Sequence, residues 1–206
     1  MVWRVGGARL EGDGLGPVRH AHDGAPEYYF MFSGAAHVET GSERFVLEEG
    51  QLGLIPPDAP HNFLGPTGDD DACLFCLVAP NRVESKWRVR DFADGSESLR
   101  MQVATPFVDP VLPGDDHVTA HALALSAADE ELELTPHGFE VVYLILEGAV
   151  TLSVAPGLSG TLRGGTYVHV REGMAHRLKA SEPARVLRMD ARFKAVHGAA
   201  PARDGG

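Results

Sequence analysis

Three histidines and one glutamate, His20, His22, Glu27 and His61, stand at spacings that suit joint coordination of a metal ion. One residue separates His20 from His22 within a predicted strand. The two-residue period of a strand then puts both imidazoles on one face, close enough to share an ion. Glu27 follows Asp23-Gly24-Ala25-Pro26, a turn-forming tetrad that folds the next strand back alongside. His61 follows Pro56-Pro57-Asp58-Ala59-Pro60, a rigid turn at the end of another predicted strand. Three imidazoles and one carboxylate suit iron, manganese, nickel, cobalt or zinc, and do not suit calcium. Four protein ligands on a six-coordinate ion leave two adjacent positions for water, substrate or dioxygen. An HxH pair alone is more often packing than ligation. The spaced Glu27 and His61 reverse that, because burying all four without an ion would require many compensating hydrogen bonds.

The elements that must position these residues are strands. Short apolar runs alternate with turn residues, and Val38, Phe45 and Leu47 among polar neighbours favour antiparallel strands with one buried face. Two segments repeat one order of features. The first reads VRHAH, EYYFMFSG, AHVETGSERFVLEEG, QLGLIPPDAPH and CLFCLVAP; the second reads LTPHG, EVVYLILEG, AVTLSVAPGLSGTLRGG, TYVHVREGMAH and ARVLRMDARF. Such a repeat, without helical periodicity between its parts, implies duplicated β modules. Thr40-Gly41-Ser42 and Ala155-Pro156-Gly157 are the hairpin turns. The polar segment over residues 85–102 holds the best helix candidate. Alternation from Glu27 points Tyr29 and Met31 inward and Tyr28 and Phe30 outward. Tyr29 is thereby a candidate to hydrogen-bond a substrate or position a proton, against the simpler reading of a core tyrosine. Phe63, in phase with His61, walls the pocket.

Composition limits the partners. The chain has 206 residues, a 44% hydrophobic share, 24 glycines and 14 prolines, which suits many short strands joined by turns. A formal net charge of −11 argues against nucleic acid as a partner. No stretch approaches the roughly 20 apolar residues of a membrane span, and the N-terminus does not read as a signal peptide, so no membrane partner and a cytoplasmic location are expected. Cys73 and Cys76 are the only cysteines. On a strand they face opposite ways with Cα atoms about 10 Å apart, too far for a disulfide, and both read as core residues.

These residues resemble the cupin superfamily. Its first motif, G(X)5HXH(X)3–4E(X)6G, runs here from Gly14 through His20, His22 and Glu27 to Gly34 with every spacing in place. Of the second, G(X)5PXG(X)2H(X)3N, Gly50, Pro56 and His61 match, while Asp58 replaces the glycine and Gly65 the asparagine. The resemblance implies an all-β chain of two tandem cupin (double-stranded β-helix, or jelly-roll) barrels. The expected division is a metal-binding barrel over 1–95, a connection over 96–115, a degenerate barrel over 116–195 and a tail over 196–206. In the second module Gly148 sets a register that places Val141 where the ligand glutamate belongs, with Thr135 and His137 at the histidine positions. Aligning Glu140 instead places Leu134 and Pro136 there. A shifted His137/Glu140/His176 site is thus an alternative to a purely structural second barrel.

The resemblance further implies one divalent transition metal per chain, with Fe2+ favoured and Mn2+, Ni2+, Zn2+ or Co2+ as alternatives. It implies a small-molecule substrate and a homodimer. The reaction expected is that of a non-haem dioxygenase, an oxidoreductase acting on a small anionic or enolisable compound. The same ligands also serve redox-neutral lyases, isomerases and hydrolases, and a non-catalytic small-molecule-binding cupin is a third reading.

Overall fold

The computed structural model describes residues 4–10, 19–22, 24–40, 43–67, 71–78, 87–89, 101–114, 118–126, 131–134 and 138–192. Among them every regular element is a strand. The first half carries β1 (Arg4–Leu10), β2 (His20–His22), β3 (Glu27–Ser33), β4 (Ala35–Thr40), β5 (Glu43–Glu48), β6 (Leu52–Ile55), β7 (His61–Pro66), β8 (Ala72–Val78), β9 (Trp87–Val89) and β10 (Gln102–Ala104). The second carries β11 (Val118–Leu125), β12 (Glu131–Leu134), β13 (Phe139–Glu147), β14 (Ala149–Val154), β15 (Leu158–Arg163), β16 (Thr166–Val170), β17 (His176–Ala180) and β18 (Ala184–Arg192).

Each half folds as two facing antiparallel sheets. In the first, the orders are β1-β8-β3-β6-β10 and β5-β4-β7-β2-β9; in the second, β11-β18-β13-β16 and β12-β17-β14-β15. The two halves repeat strand for strand, and β9 and β10 are additions to the first. Most of the helix candidate within 85–102 lies outside the described residues, and the parts of that segment that are described pair as strands. Trp87–Val89 pairs with β2, and Gln102 opens the strand that pairs with β6. Edge backbone groups of the first barrel take these residues as ladder partners.

Alternation divides the apolar residues between two kinds of core. Tyr29, Met31, Val38, Ile55, Phe63 and Leu74 fill the first barrel. Val141, Tyr143, Ile145, Val150, Leu178 and Val186 fill the second. The outward faces of β3 and β8 carry Tyr28, Phe30, Phe75 and Leu77. These pack against Val142, Leu144, Leu187 and Met189 from β13 and β18, so the outer faces of two sheets form a third core between the barrels. Burial on both faces explains why β8, ACLFCLV, reads as one continuous apolar run. Outward on β3 therefore means toward the other barrel, not toward water.

Candidate metal centre

The first barrel brings its four candidate ligands together by two ladders. β2 pairs with β7 so that His20 lies opposite His61, and β3 starts with Glu27 opposite Ile55 of β6 and Val78 of β8. The turns between these strands are tied to each other. Asp58, at the position of the motif glycine, adopts φ +62°, which aspartate tolerates better than most side chains. Its backbone N–H donates to the His22 carbonyl (3.1 Å), and its Oδ1 accepts from the Gly24 N–H (3.1 Å). The aspartate thus keeps the backbone shape of a glycine and clamps the turn that delivers Glu27.

One ligand atom from each of His20, His22, Glu27 and His61 lies within 4.8 Å of all the others. Glu27 Oε2 is 2.6 Å from His61 Nε2, 3.0 Å from His22 Nε2 and 4.0 Å from His20 Nε2. Glu27, His22 and His61 are buried, and His20 lies at the more open side with 19% of its side chain exposed. Burial pushes the Glu27 carboxyl upward. Hydrogen bonds and charge from His22 and His61 overcome that and hold it well below the usual carboxylate range. His61 Nδ1–H donates to the Ala59 carbonyl (2.9 Å), which orients the ring and turns Nε2 toward Glu27. A buried carboxylate facing three imidazole nitrogens is a donor set that fits a divalent transition metal.

The wall of the centre includes residues the sequence signals and others it does not. Tyr29 faces inward, its ring 4.4 Å from Phe63 and 6.5 Å from His61 between centroids. Thr40 lies opposite His61 across the β4–β7 ladder, and its buried hydroxyl has no hydrogen-bond partner among the described residues. Cys76, read from sequence as a core residue, lies opposite Tyr29 and places Sγ 2.9 Å from Glu27 Oε1. Cys73 lies on the other face by parity, and the two cysteines are not joined by a disulfide. The sequence shows Thr40 only as a turn residue and Cys76 only as a core one, so the ladder register alone brings them to the centre.

Residues 8–78 match the family model described as Cupin domain. The fold is that of two cupin barrels. No curated protein matches it in sequence. Among solved structures, the chain is similar to salicylate 1,2-dioxygenase from Pseudaminobacter salicylatoxidans, at 14% identity and a TM-score of 0.68 over 91% of this chain and 70% of that one. It is similar to Streptomyces albus HEPD, solved with 2-hydroxyethylphosphonate and Fe(II), at 14% identity and a TM-score of 0.62 over 97% and 72%. Protein Ylba from E. coli matches at 14% identity and a TM-score of 0.62 over 94% and 85%.

The second barrel keeps the frame and changes the site. Val141 pairs with Val170 and Asp190 as Glu27 pairs with Ile55 and Val78. Leu134 lies opposite His176 where His20 lies opposite His61, so the first histidine position belongs to Leu134 rather than to Thr135. The structure does not bring Glu140 and His176 together. Glu140 shares the outward parity of Val142 and meets His169 at 3.0 Å, whereas His176 Nε2 faces inward and accepts from the Tyr143 hydroxyl at 2.8 Å. A strand's alternation separates them, because Glu140 and Tyr143 are three residues apart on β13. His137 lies outside the described residues. Arg188 grips Asp190 through Nε–H to Oδ1 (2.6 Å) and Nη2–H to Oδ2 (2.7 Å), and His121 Nε2 lies 3.7 Å from Asp190 Oδ2. Among the described residues, the four-ligand group of the first barrel is the one cluster able to hold a metal.

Proposed function

We propose that the first barrel holds one divalent transition metal, Fe2+ in preference to Mn2+, Ni2+, Zn2+ or Co2+, on His20, His22, Glu27 and His61. On this reading the chain is a non-haem dioxygenase for a small anionic or enolisable substrate. The observation that carries it is the convergence of the four ligand atoms inside the barrel. When bound, the ion supplies Lewis acidity and, as Fe2+, a redox couple for oxygen chemistry. Three neutral imidazoles and one carboxylate leave a divalent centre with net charge about +1, which favours an anionic or enolate oxygen as the group to be bound. Two of the fold neighbours add support, since one is named a dioxygenase and the other was solved with Fe(II) and a phosphonate substrate.

The chain's own residues have separable tasks in this reading. The Ala59 carbonyl orients His61, and the paired turns at Gly24 and Asp58 hold Glu27 in place. Phe63 and Ile55 keep water from the inner side of the centre. Tyr29 orients the substrate or carries its proton. Thr40 offers a hydroxyl with no partner among the described residues, and a buried polar group without a partner is costly unless a ligand or water meets it.

Metal analysis of protein purified without chelators should return about one transition metal per chain. Anaerobic nitric oxide should then give an iron–nitrosyl signal, and oxygen should be consumed in the presence of small hydroxylated acids. Turnover under strict anaerobiosis with zinc, nickel or manganese would replace the dioxygenase with a redox-neutral lyase, isomerase or hydrolase. Two metals of equal affinity per chain would refute the asymmetry between barrels.

A further inference from the structure

We infer that Cys76 is a positioning residue of the metal centre: its thiol holds one oxygen of Glu27 and leaves the other for the ion. The inference deepens the metal-binding reading and rests on it. Cys76 Sγ lies 2.9 Å from Glu27 Oε1, whereas the imidazole nitrogens of His61 and His22 approach Oε2, at 2.6 and 3.0 Å. The two oxygens of one carboxylate are therefore engaged from different sides. The thiol is the donor and a carboxylate oxygen the acceptor, so the contact is a hydrogen bond from Cys76 to Glu27. Cys76 does not belong to the four-ligand group, so it acts on the glutamate rather than as a fifth ligand. A thiol has one proton to give. It can restrain the rotation of the carboxylate without competing for Oε2.

The second barrel supplies an independent observation of the same ladder position. Arg188 lies opposite Tyr143 as Cys76 lies opposite Tyr29, and Arg188 too engages a buried, inward-facing carboxylate of its barrel. That carboxylate is Asp190, which stands across the ladder from Val141 as Val78 stands across from Glu27. The guanidinium occupies both of its oxygens, at 2.6 and 2.7 Å. In both barrels the residue facing the inward tyrosine grips the carboxylate. A single-proton thiol leaves an oxygen for a metal, and a forked guanidinium leaves none. A cysteine that merely filled core space would show neither the contact with Oε1 nor this parallel.

The test uses Cys76→Val and Cys76→Ala, which remove the donor, and Cys76→Ser, which keeps one. Co2+ serves as probe, with its dissociation constant measured by competition against a chromogenic chelator and its visible absorption recorded. Loss of a hydrogen bond to a metal-ligating carboxylate should weaken Co2+ binding by about tenfold in the valine and alanine variants. It should also change the Co2+ bands as the freed carboxylate offers both oxygens. The serine variant should return both properties to near wild type. Thermal unfolding of the metal-free proteins identifies variants that fold, and the alanine variant carries the test if the bulkier valine does not. Wild-type affinity and unchanged bands in the valine or alanine variant would overturn the inference. So would a serine variant as impaired as alanine. If the wild-type chain itself binds no Co2+, the metal-centre reading falls and the inference falls with it.

Discussion

His61 and His176 occupy equivalent ladder positions, and each donates its Nδ1–H to the carbonyl two residues before it, at 2.9 and 3.0 Å. Their Nε2 atoms meet different partners, Glu27 in one barrel and the Tyr143 hydroxyl in the other. His61→Ala removes a ligand and leaves Glu27 with fewer partners, so metal content and activity should collapse together. His176→Ala should leave metal content near wild type and cost about 1–3 kcal/mol of stability, the penalty of a buried group losing its partner. Metal analysis and thermal unfolding of both variants check this. Tyr143 also titrates abnormally. Burial raises its pKa, with Arg188 opposing and Asp190 adding to the shift. The folded chain therefore keeps a proton that the unfolded chain releases near pH 10, roughly the ordinary tyrosine value. Its contribution to stability is complete below that pH and is lost as pH rises above it. Denaturant unfolding from about pH 9 to about pH 11 should show a shallower decline in Tyr143→Phe than in wild type.

At the scale of elements, the equivalent glycines closing β3 and β13 differ in how tightly their turns are packed. Gly34 and Gly148 have φ values of +72° and +74°, where a side chain costs about 1–2 kcal/mol. A Cβ at Gly34 would lie 3.0 Å from the Asp71 carbonyl oxygen. At Gly148 it would lie 2.1 Å from that of Pro183, which nothing short of a backbone shift relieves. Both alanine variants should be less stable than wild type, with Gly148→Ala the more damaged, as thermal unfolding would show. Because Gly148→Ala disturbs the second barrel, its metal content per folded chain should stay near that of wild type. The β4–β5 hairpin closes with Thr40 opposite Glu43, and the Gly41 and Ser42 of the expected turn lie outside the described residues. Met101, buried against Gly53, is a contribution to the first barrel from the connecting segment. β10 follows it, so part of the expected 96–115 connection is a strand of the first barrel's sheet.

For the whole molecule, the core between the barrels decides how the halves behave. Leu144 is fully buried there, among residues of both barrels. Leu144→Ala should cost about 2–5 kcal/mol. It should shift one cooperative transition, observed alike by a first-barrel probe such as bound Co2+ and by total β-structure. Two separate transitions with only one displaced would show that the barrels unfold independently. The same burial bears on assembly. Sheet faces that would otherwise seek a partner are covered within the chain, which leaves sheet edges such as β5 and β15 as the surfaces for the proposed homodimer. Light scattering should return twice the monomer mass at micromolar concentration, and a monomer mass would rule the dimer out.

The ligand candidates, the duplication and the strand class are legible in the chain because they are local. HxH spacing, the turn before Glu27, the proline turn before His61 and the alternation of β3 depend on residues within one or two elements. Inward and outward faces also follow from a two-residue period, as with Tyr29 and Tyr28. What lies on the outside of a face does not, and only packing of the barrels turned Tyr28 and Phe30 into core. The partners of Glu27 and Asp190 were equally hidden. Cys76 is 49 residues from Glu27 in sequence and reaches it through the register of β8 on β3, which no local pattern specifies. The same holds for Thr40 beside His61 and for β9 and β10, short strands recruited by barrel edges. The sequence by itself determined which side chains can bind a metal and what kind of element carries them. Tertiary structure decided which neighbours hold those side chains in place, because cross-strand register brings distant residues within hydrogen-bond reach.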